Sequence, residues 1–222
     1  MKGLLLNYQY GMWDAVLAKI KTNTRRSHKS LEPVNTNPDN WELLSIRHSA
    51  AGDGAFARFK PKNGGAIVEC RARYQEGEVS FLQEPTMNVK GFVTEDDLVM
   101  YLYRDDNGQD DVEQFKQIID KAKSKGASWG NKMFMGEKDA RYFIKIKRIE
   151  VQRLQDISDT DCFAEGIRTS EVGQYYFLNN GKKVVFDTVQ KAYFSLYNTI
   201  NRNAPVNPWV FSYHFERCSK NG

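Results

Sequence analysis

The sequence predicts an α+β fold, a small β-barrel with helices attached to it, and three observations predict it. Short apolar or alternating runs are separated by turn-forming clusters at Ala51-Gly52-Asp53-Gly54, Asn63-Gly64-Gly65 and Asn179-Asn180-Gly181-Lys182, the pattern of successive hairpins. Between and around them lie segments whose apolar residues recur at helical spacing. The chain then closes on Trp209, Phe211, Tyr213 and Phe215 alternating with Val210, Ser212, His214 and Glu216, which reads as a half-buried final strand.

Taken in order, Leu4, Leu5 and Leu6 begin a short buried strand. Met12, Trp13, Val16, Leu17 and Ile20 share one face of a first helix, which places Lys21 at its exit. Clustered cations suit a helix C-terminus, where carbonyls are unpaired and carry partial negative charge. That accounts for Lys19 and Lys21 better than for Thr24, Arg25 and Arg26, which lie beyond, where a second strand resumes over Thr24 to His28. Leu31 to Asn40 has two prolines, three asparagines and no apolar period, and is expected as loop. Trp41 to Arg47 pairs with Ala55 to Lys60, and Ala66 to Ala72 follows the second turn. Val79 to Leu82 runs as a strand to Glu84-Pro85, where proline ends the pairing.

The middle changes character. Thr94 is a candidate N-cap for a helix over Glu95 to Arg104, and Asp110 to Lys125 reads as another, with Val112, Phe115, Ile118, Ile119 and Ala122 on one face. The expectation is a single domain over 1-222 with a helical insertion at 94-130. Tyr142 to Leu154 is the longest strand signal; its apolar phase passes from Ile144 and Ile146 to Ile149 and Val151, so a bulge is expected near Lys147-Arg148. Ser158 caps a short helix to Glu165, with Asp161 at the capping-box position. After the Asn-Asn-Gly-Lys hairpin, Val189 to Ile200 turns Tyr193, Phe194, Tyr197 and Ile200 inward.

Composition narrows the function classes. The chain of 222 residues is 41% hydrophobic and 13% aromatic, as a soluble globular protein is. No apolar run approaches the roughly 20 residues of a membrane-spanning helix, and Met1 to Leu6 is too short for a signal peptide, so a cytoplasmic protein with no membrane partner is expected. Cys70, Cys162 and Cys218 are widely spaced and expected reduced. With only His28, His48 and His214 beside them no metal-ligand spacing arises, and neither metal nor cofactor is expected. Net charge is +4, but residues 1 to 31 carry a local +5 and residues 141 to 153 a local +4, while residues 94 to 113 hold eight acids against Arg104. A basic face of this kind suits phosphate oxygens, and the acidic stretch suits a protein partner.

Four stretches carry a resemblance. Gly3-Leu4-Leu5, a helix, and Lys21-Thr22-Asn23-Thr24-Arg25-Arg26 resemble the opening of ASCH domains, small PUA-like β-barrels. Tyr74-Gln75-Glu76-Gly77-Glu78 through Val79 to Pro85 resembles the family's Y-x-x-G-[DE] strand. Leu154 to Ser158 with Ala164-Glu165-Gly166-Ile167 resembles its strand-to-helix passage. Asn207-Pro208-Trp209-Val210-Phe211 resembles the final strand of its longer members, often encoded by phages and prophages. The resemblance implies a PUA-like barrel that recognises RNA or a modified nucleobase in a pocket between barrel and helices. One branch removes the acetyl group from acetylated cytidine, which implies Lys21 as base, Thr24 as nucleophile and Glu165 as acid. The chemistry is coherent, since a threonine hydroxyl needs a neighbour to take its proton, and burial beside Arg25 and Arg26 would free the Lys21 amine to do so.

Read from residue chemistry, base recognition needs aromatic platforms, for which Trp129, Trp41 and Tyr74 are candidates, and cations on the strand, for which Arg25, Arg26, Arg141, Lys145 and Lys147 are candidates. Trp and Tyr fill cores more often than they stack on bases. Glu84 is a second pocket acid or a partner for Arg25 or Arg26. A metal-independent ribonuclease using Lys21, Glu165 and the arginines, and a host-protein interaction module built on the acidic insertion, are the further alternatives.

Overall fold

A computed structural model describes residues 1–48, 54–88, 101–103 and 112–221 of the chain. In order along it run β1 (Lys2–Leu5), α1 (Met12–Leu17), β2 (Asn23–Arg26), α2 (Glu32–Asn35), β3 (Trp41–His48), β4 (Ala55–Pro61), β5 (Val68–Arg71), β6 (Val79–Gln83) and β7 (Thr86–Asn88). There follow β8 (Tyr101–Tyr103), α3 (Val112–Ser124), β9 (Phe143–Arg153), α4 (Asp159–Ala164), β10 (Arg168–Thr169), β11 (Tyr175–Asn179), β12 (Lys182–Phe186), α5 (Val189–Ile200) and β13 (Trp209–Cys218). The fold is α+β, mostly sheet with few helices, and no closed barrel is found among the described residues. The chain divides into two compact units, Met1–Leu6 with Ser80–Phe143, and Asn7–Val79 with Ile144–Gly222.

In the first unit β1 pairs parallel with β6, Leu4 opposite Leu82, and both side chains are buried. A Cβ on Gly3 would lie 2.5 Å from the Gln83 side chain, which would have to swing aside to admit it. β7 and β8 form an antiparallel pair, and α3 lays Ala122 on Met87 with Ile118, Ile119 and Trp129 partly buried around them. The α3 helix falls within the span predicted over Asp110 to Lys125, with Ile118, Ile119 and Ala122 on the packed face as expected. Of the helix predicted over Glu95 to Arg104, Tyr101–Tyr103 is instead a strand, and the remainder lies outside the described residues.

In the second unit β2 pairs antiparallel with β13, setting Thr24 opposite Tyr213 and Arg25 opposite Ser212, and β9 lies on the other side of β13. The hairpin β11–β12 turns through Asn180 (φ 51°) and Gly181 (φ 79°), the two left-handed residues of a tight hairpin turn, as Asn-Gly predicts. Lys147 and Arg148 are both exposed between buried Ile146 and Ile149, which is the predicted slip of phase, and the Glu76 side chain accepts a 2.9 Å bond from the Ile149 amide there.

Three local expectations are corrected. The first helix stops at Leu17, not Ile20: the Lys19 and Ile20 amides fold back onto the carbonyls of Val16 and Ala15 at 3.0 and 2.8 Å, with Lys19 left-handed at φ 59°. This is a helix-ending motif in which glycine is usual, and lysine hides it. Ile20 is accordingly exposed. Leu31 to Asn40 is a series of helical turns rather than loop, burying Leu31 and Val34, with α2 admitting Pro33 in its first turn, where no amide is required. Finally, β13 is buried on both faces from Trp209 to Tyr213. Val210 joins the α5 core, while Trp209 meets Phe59 edge-on at 5.1 Å and Tyr213 meets Tyr74 edge-on at 5.1 Å.

Candidate functional site

The early end of α1 decides where Lys21 goes. Its amide, like that of Ile20, bonds the Ala15 carbonyl at 2.8 Å, and its side chain turns inward to complete burial instead of capping α1. The helix it caps is α4. Ser158 starts that helix by accepting from the Asp161 amide, and Gly166 leaves it at φ 103°, a conformation open to glycine. The carbonyl of Ala164 is taken by the Thr22 amide at 2.9 Å and that of Glu165 by Lys21 Nζ at 2.9 Å. A cation thus sits on the helix end where carbonyls are otherwise unpaired.

Lys21 Nζ also donates to the Asn23 carbonyl at 2.7 Å and to Glu165 Oε2 at 2.6 Å, so three acceptors meet the three N–H groups of an ammonium. Burial is the largest influence on this amine and lowers its pKa, with Arg26 and Arg25 acting in the same sense, while Glu165 raises it. Arg25, its side chain fully buried, donates to Glu165 Oε1 at 3.2 Å and to Asp161 Oδ2 at 2.7 Å. With its amide oxygen turned towards Arg25, Gln152 accepts from Nε and a terminal nitrogen at 3.0 Å each. Two buried cations therefore face two carboxylates, and Ser212 Oγ steadies the assembly by donating to Asn23 Oδ1 at 2.8 Å.

Beside this network is a cavity of about 40 Å³. Thr24, Arg25, Arg26 and Glu165 line it from one side, Tyr193, Leu196, Tyr197, Ile200 and Asn201 from α5 and its end, and Asn7 and Met12 complete it. Strand alternation explains the division of labour: Asn23 and Arg25 face the carboxylates, and Thr24 and Arg26 occupy the alternate positions of β2. The Tyr193 and Tyr197 hydroxyls, both buried, have no hydrogen-bond partner among the described residues. Burial first and the Glu165 carboxylate second push both phenols up, Tyr197 to about 12.

The predicted residues thus divide. Lys21, Arg25 and Glu165 are brought into direct contact, and Thr24 and Arg26 share the cavity with Glu165. Glu84, in the first unit, receives a two-pronged contact from Arg141, Nε to Oε1 at 3.1 Å and a terminal nitrogen to Oε2 at 2.7 Å. Arg141 in turn lies 5.0 Å over the Tyr142 ring. Trp129 is half-buried against the α3 cluster, and Tyr74 is buried against Tyr213. Trp41 and Lys145 are half-buried in their strands, while exposed Lys147 pairs with Glu216 at 2.9 Å.

Sequence reasoning missed Gln152, Asn201 and the second role of Asp161, and it read Tyr193 and Tyr197 only as core. The available signal was two phenols one turn apart on an otherwise apolar helix face. Among the described residues no group of three His, Cys, Asp or Glu could hold a metal ion, and no helix is long and apolar enough to cross a membrane. Burial pushes the thiols of Cys70 and Cys162 up to about 11 and about 12, away from thiolate chemistry. No family model, curated protein or solved structure matches the chain.

Proposed function

We propose that the cavity between β2 and α5 recognises a nucleobase, carried by RNA or by a modified nucleoside in the cytoplasm, and that the chain is a PUA-like barrel of the ASCH type with helices attached. One observation carries this reading: hydrogen-bonding Thr24, Arg26 and Glu165 share a single cavity with the rings of Tyr193 and Tyr197 and the aliphatic Leu196 and Ile200. Aromatic and aliphatic walls with a few hydrogen-bonding groups among them are what a planar heterocycle requires. The Lys21–Glu165–Arg25 network holds Glu165 rigid while it faces that space.

A second reading, an amidohydrolase acting on N4-acylated cytidine, is favoured by Thr24 and Glu165 lining the same cavity while Lys21 Nζ stands 2.6 Å from Glu165. In that reaction a proton first passes from the Lys21 ammonium to the Glu165 carboxylate across their contact; Thr24 Oγ1 then attacks the acyl carbon and gives up its proton to the neutral Lys21 amine. Glu165 gives its proton to the departing N4, and water cleaves the acyl–Thr24 ester, releasing the carboxylic acid and returning a proton to Thr24 Oγ1. Burial of Lys21 lowers the cost of the neutral amine.

Incubation of the protein with acylated and unmodified nucleosides, followed by chromatography with mass detection and by calorimetric binding, separates the two. Recognition without turnover predicts saturable binding, weakened in Thr24→Ala, and no loss of acyl groups. Turnover that disappears in both Lys21→Ala and Thr24→Ala while Thr24→Ala still binds establishes the enzyme. Neither binding nor turnover by the folded protein refutes both.

A further inference from the structure

Tyr193 and Tyr197 stand one turn apart on α5, 3% and 4% exposed, their rings tilted with centroids 6.2 Å apart. Neither hydroxyl has a partner among the described residues. A buried hydroxyl left unpaired gives up its bonds to water with nothing in return, whereas phenylalanine would fill the same space without that cost. Two tyrosines one turn apart that both line one cavity, with unpaired hydroxyls and with phenols that both sense the Glu165 carboxylate, are poor choices for a core and good ones for a ligand.

The cavity's chemistry limits which ligand. Both phenols stay protonated, so each brings one O–H donor. An exocyclic amino group offers no free lone pair and would leave both O–H groups without an acceptor at that ring position. A carbonyl oxygen has two lone pairs and can accept from both.

We propose that Tyr193 and Tyr197 are specificity-determining donors that together hold one carbonyl oxygen of the bound base, so that the site selects a base with an oxo group over one with an amino group at the same ring position. This deepens the nucleobase reading above and rests on it.

The test is calorimetric titration of the intact chain with two matched pairs, uridine against cytidine and inosine against adenosine, in wild type, Tyr193→Phe and Tyr197→Phe, with thermal unfolding of each. The oxo member of at least one pair is expected to bind more tightly. Each Phe variant should weaken that ligand about threefold to tenfold, leave the amino member's affinity unchanged and keep or raise the unfolding midpoint. Binding of nucleosides with no oxo preference, or with a preference that survives both Phe variants, overturns the donor assignment and leaves the nucleobase reading standing. A lowered midpoint with equal loss of every ligand assigns the tyrosines a packing role and overturns it as well. If no nucleoside binds the folded wild type, the nucleobase reading fails and the donor assignment falls with it.

Discussion

Glu165 is the residue on which most of the site converges. It accepts from Lys21 and from Arg25, both with fully buried side chains, and its own side chain is 5% exposed. Replacing it with glutamine keeps the shape but strands the Lys21 cation away from water, while Arg25 keeps Asp161, and breaking a buried pair in this way costs about 3–5 kcal/mol. Glu165→Gln should therefore lose that much stability in denaturant unfolding at pH 7; a loss under 1 kcal/mol, the scale of an exposed pair, would mean that Glu165 does not neutralise buried cations. Tyr197 gives a pH dependence. Its phenol is held up at about 12 against an ordinary value near 10. As pH rises past 10 the unfolded chain releases this proton first, so stability present below 10 is lost progressively towards 12. Tyr197→Phe removes that dependence and should unfold at higher pH than wild type in an alkaline titration followed by circular dichroism. Lys21, Thr24, Arg25 and Glu165 were legible in the sequence as an unusual concentration of chemistry. Asp161 was legible only as a cap, because nothing in its spacing connects it with Arg25 across 136 residues.

At the scale of elements, what could be read and what could not follows from where the signals lie. The β11–β12 hairpin announces itself because Asn180-Gly181 meets the turn's demand for two left-handed residues. The α4 helix does so through Ser158, whose hydroxyl accepts from the Asp161 amide at 3.1 Å. The end of α1 does not, because Lys19 occupies the left-handed position that glycine would mark, and apolar spacing alone carried the helix on to Ile20. A side chain in that conformation costs about 1 kcal/mol or more relative to glycine, partly offset by glycine's freer unfolded chain. Lys19→Gly should thus stabilise the protein by up to about 1 kcal/mol in chemical denaturation without changing ligand affinity; destabilisation would show that the exposed lysine makes compensating contacts. The two-sided burial of β13 was hidden for a different reason. Alternation reports one buried face, and the second is covered by α5, a partner the strand's own residues do not specify.

At the scale of the molecule, the sequence is basic, +4 overall, but several of its conspicuous cations are committed: Lys21 and Arg25 to Glu165, Arg141 to Glu84, Lys147 to Glu216. If the cavity takes a nucleobase as proposed, binding should then depend on the base more than on phosphates. The affinity for a short RNA is expected to fall only shallowly with salt, a log–log slope no steeper than about −2, where a protein holding many phosphates gives several times that. Base binding in the cavity is tested by a nuclear magnetic resonance titration of the isotope-labelled chain with a nucleoside series. A nucleoside held between β2 and α5 gives saturable shifts concentrated at Thr24 to Arg26, Glu165 and Tyr193 to Asn201. No saturable shift with any nucleoside, or shifts confined to residues away from the cavity, would contradict it.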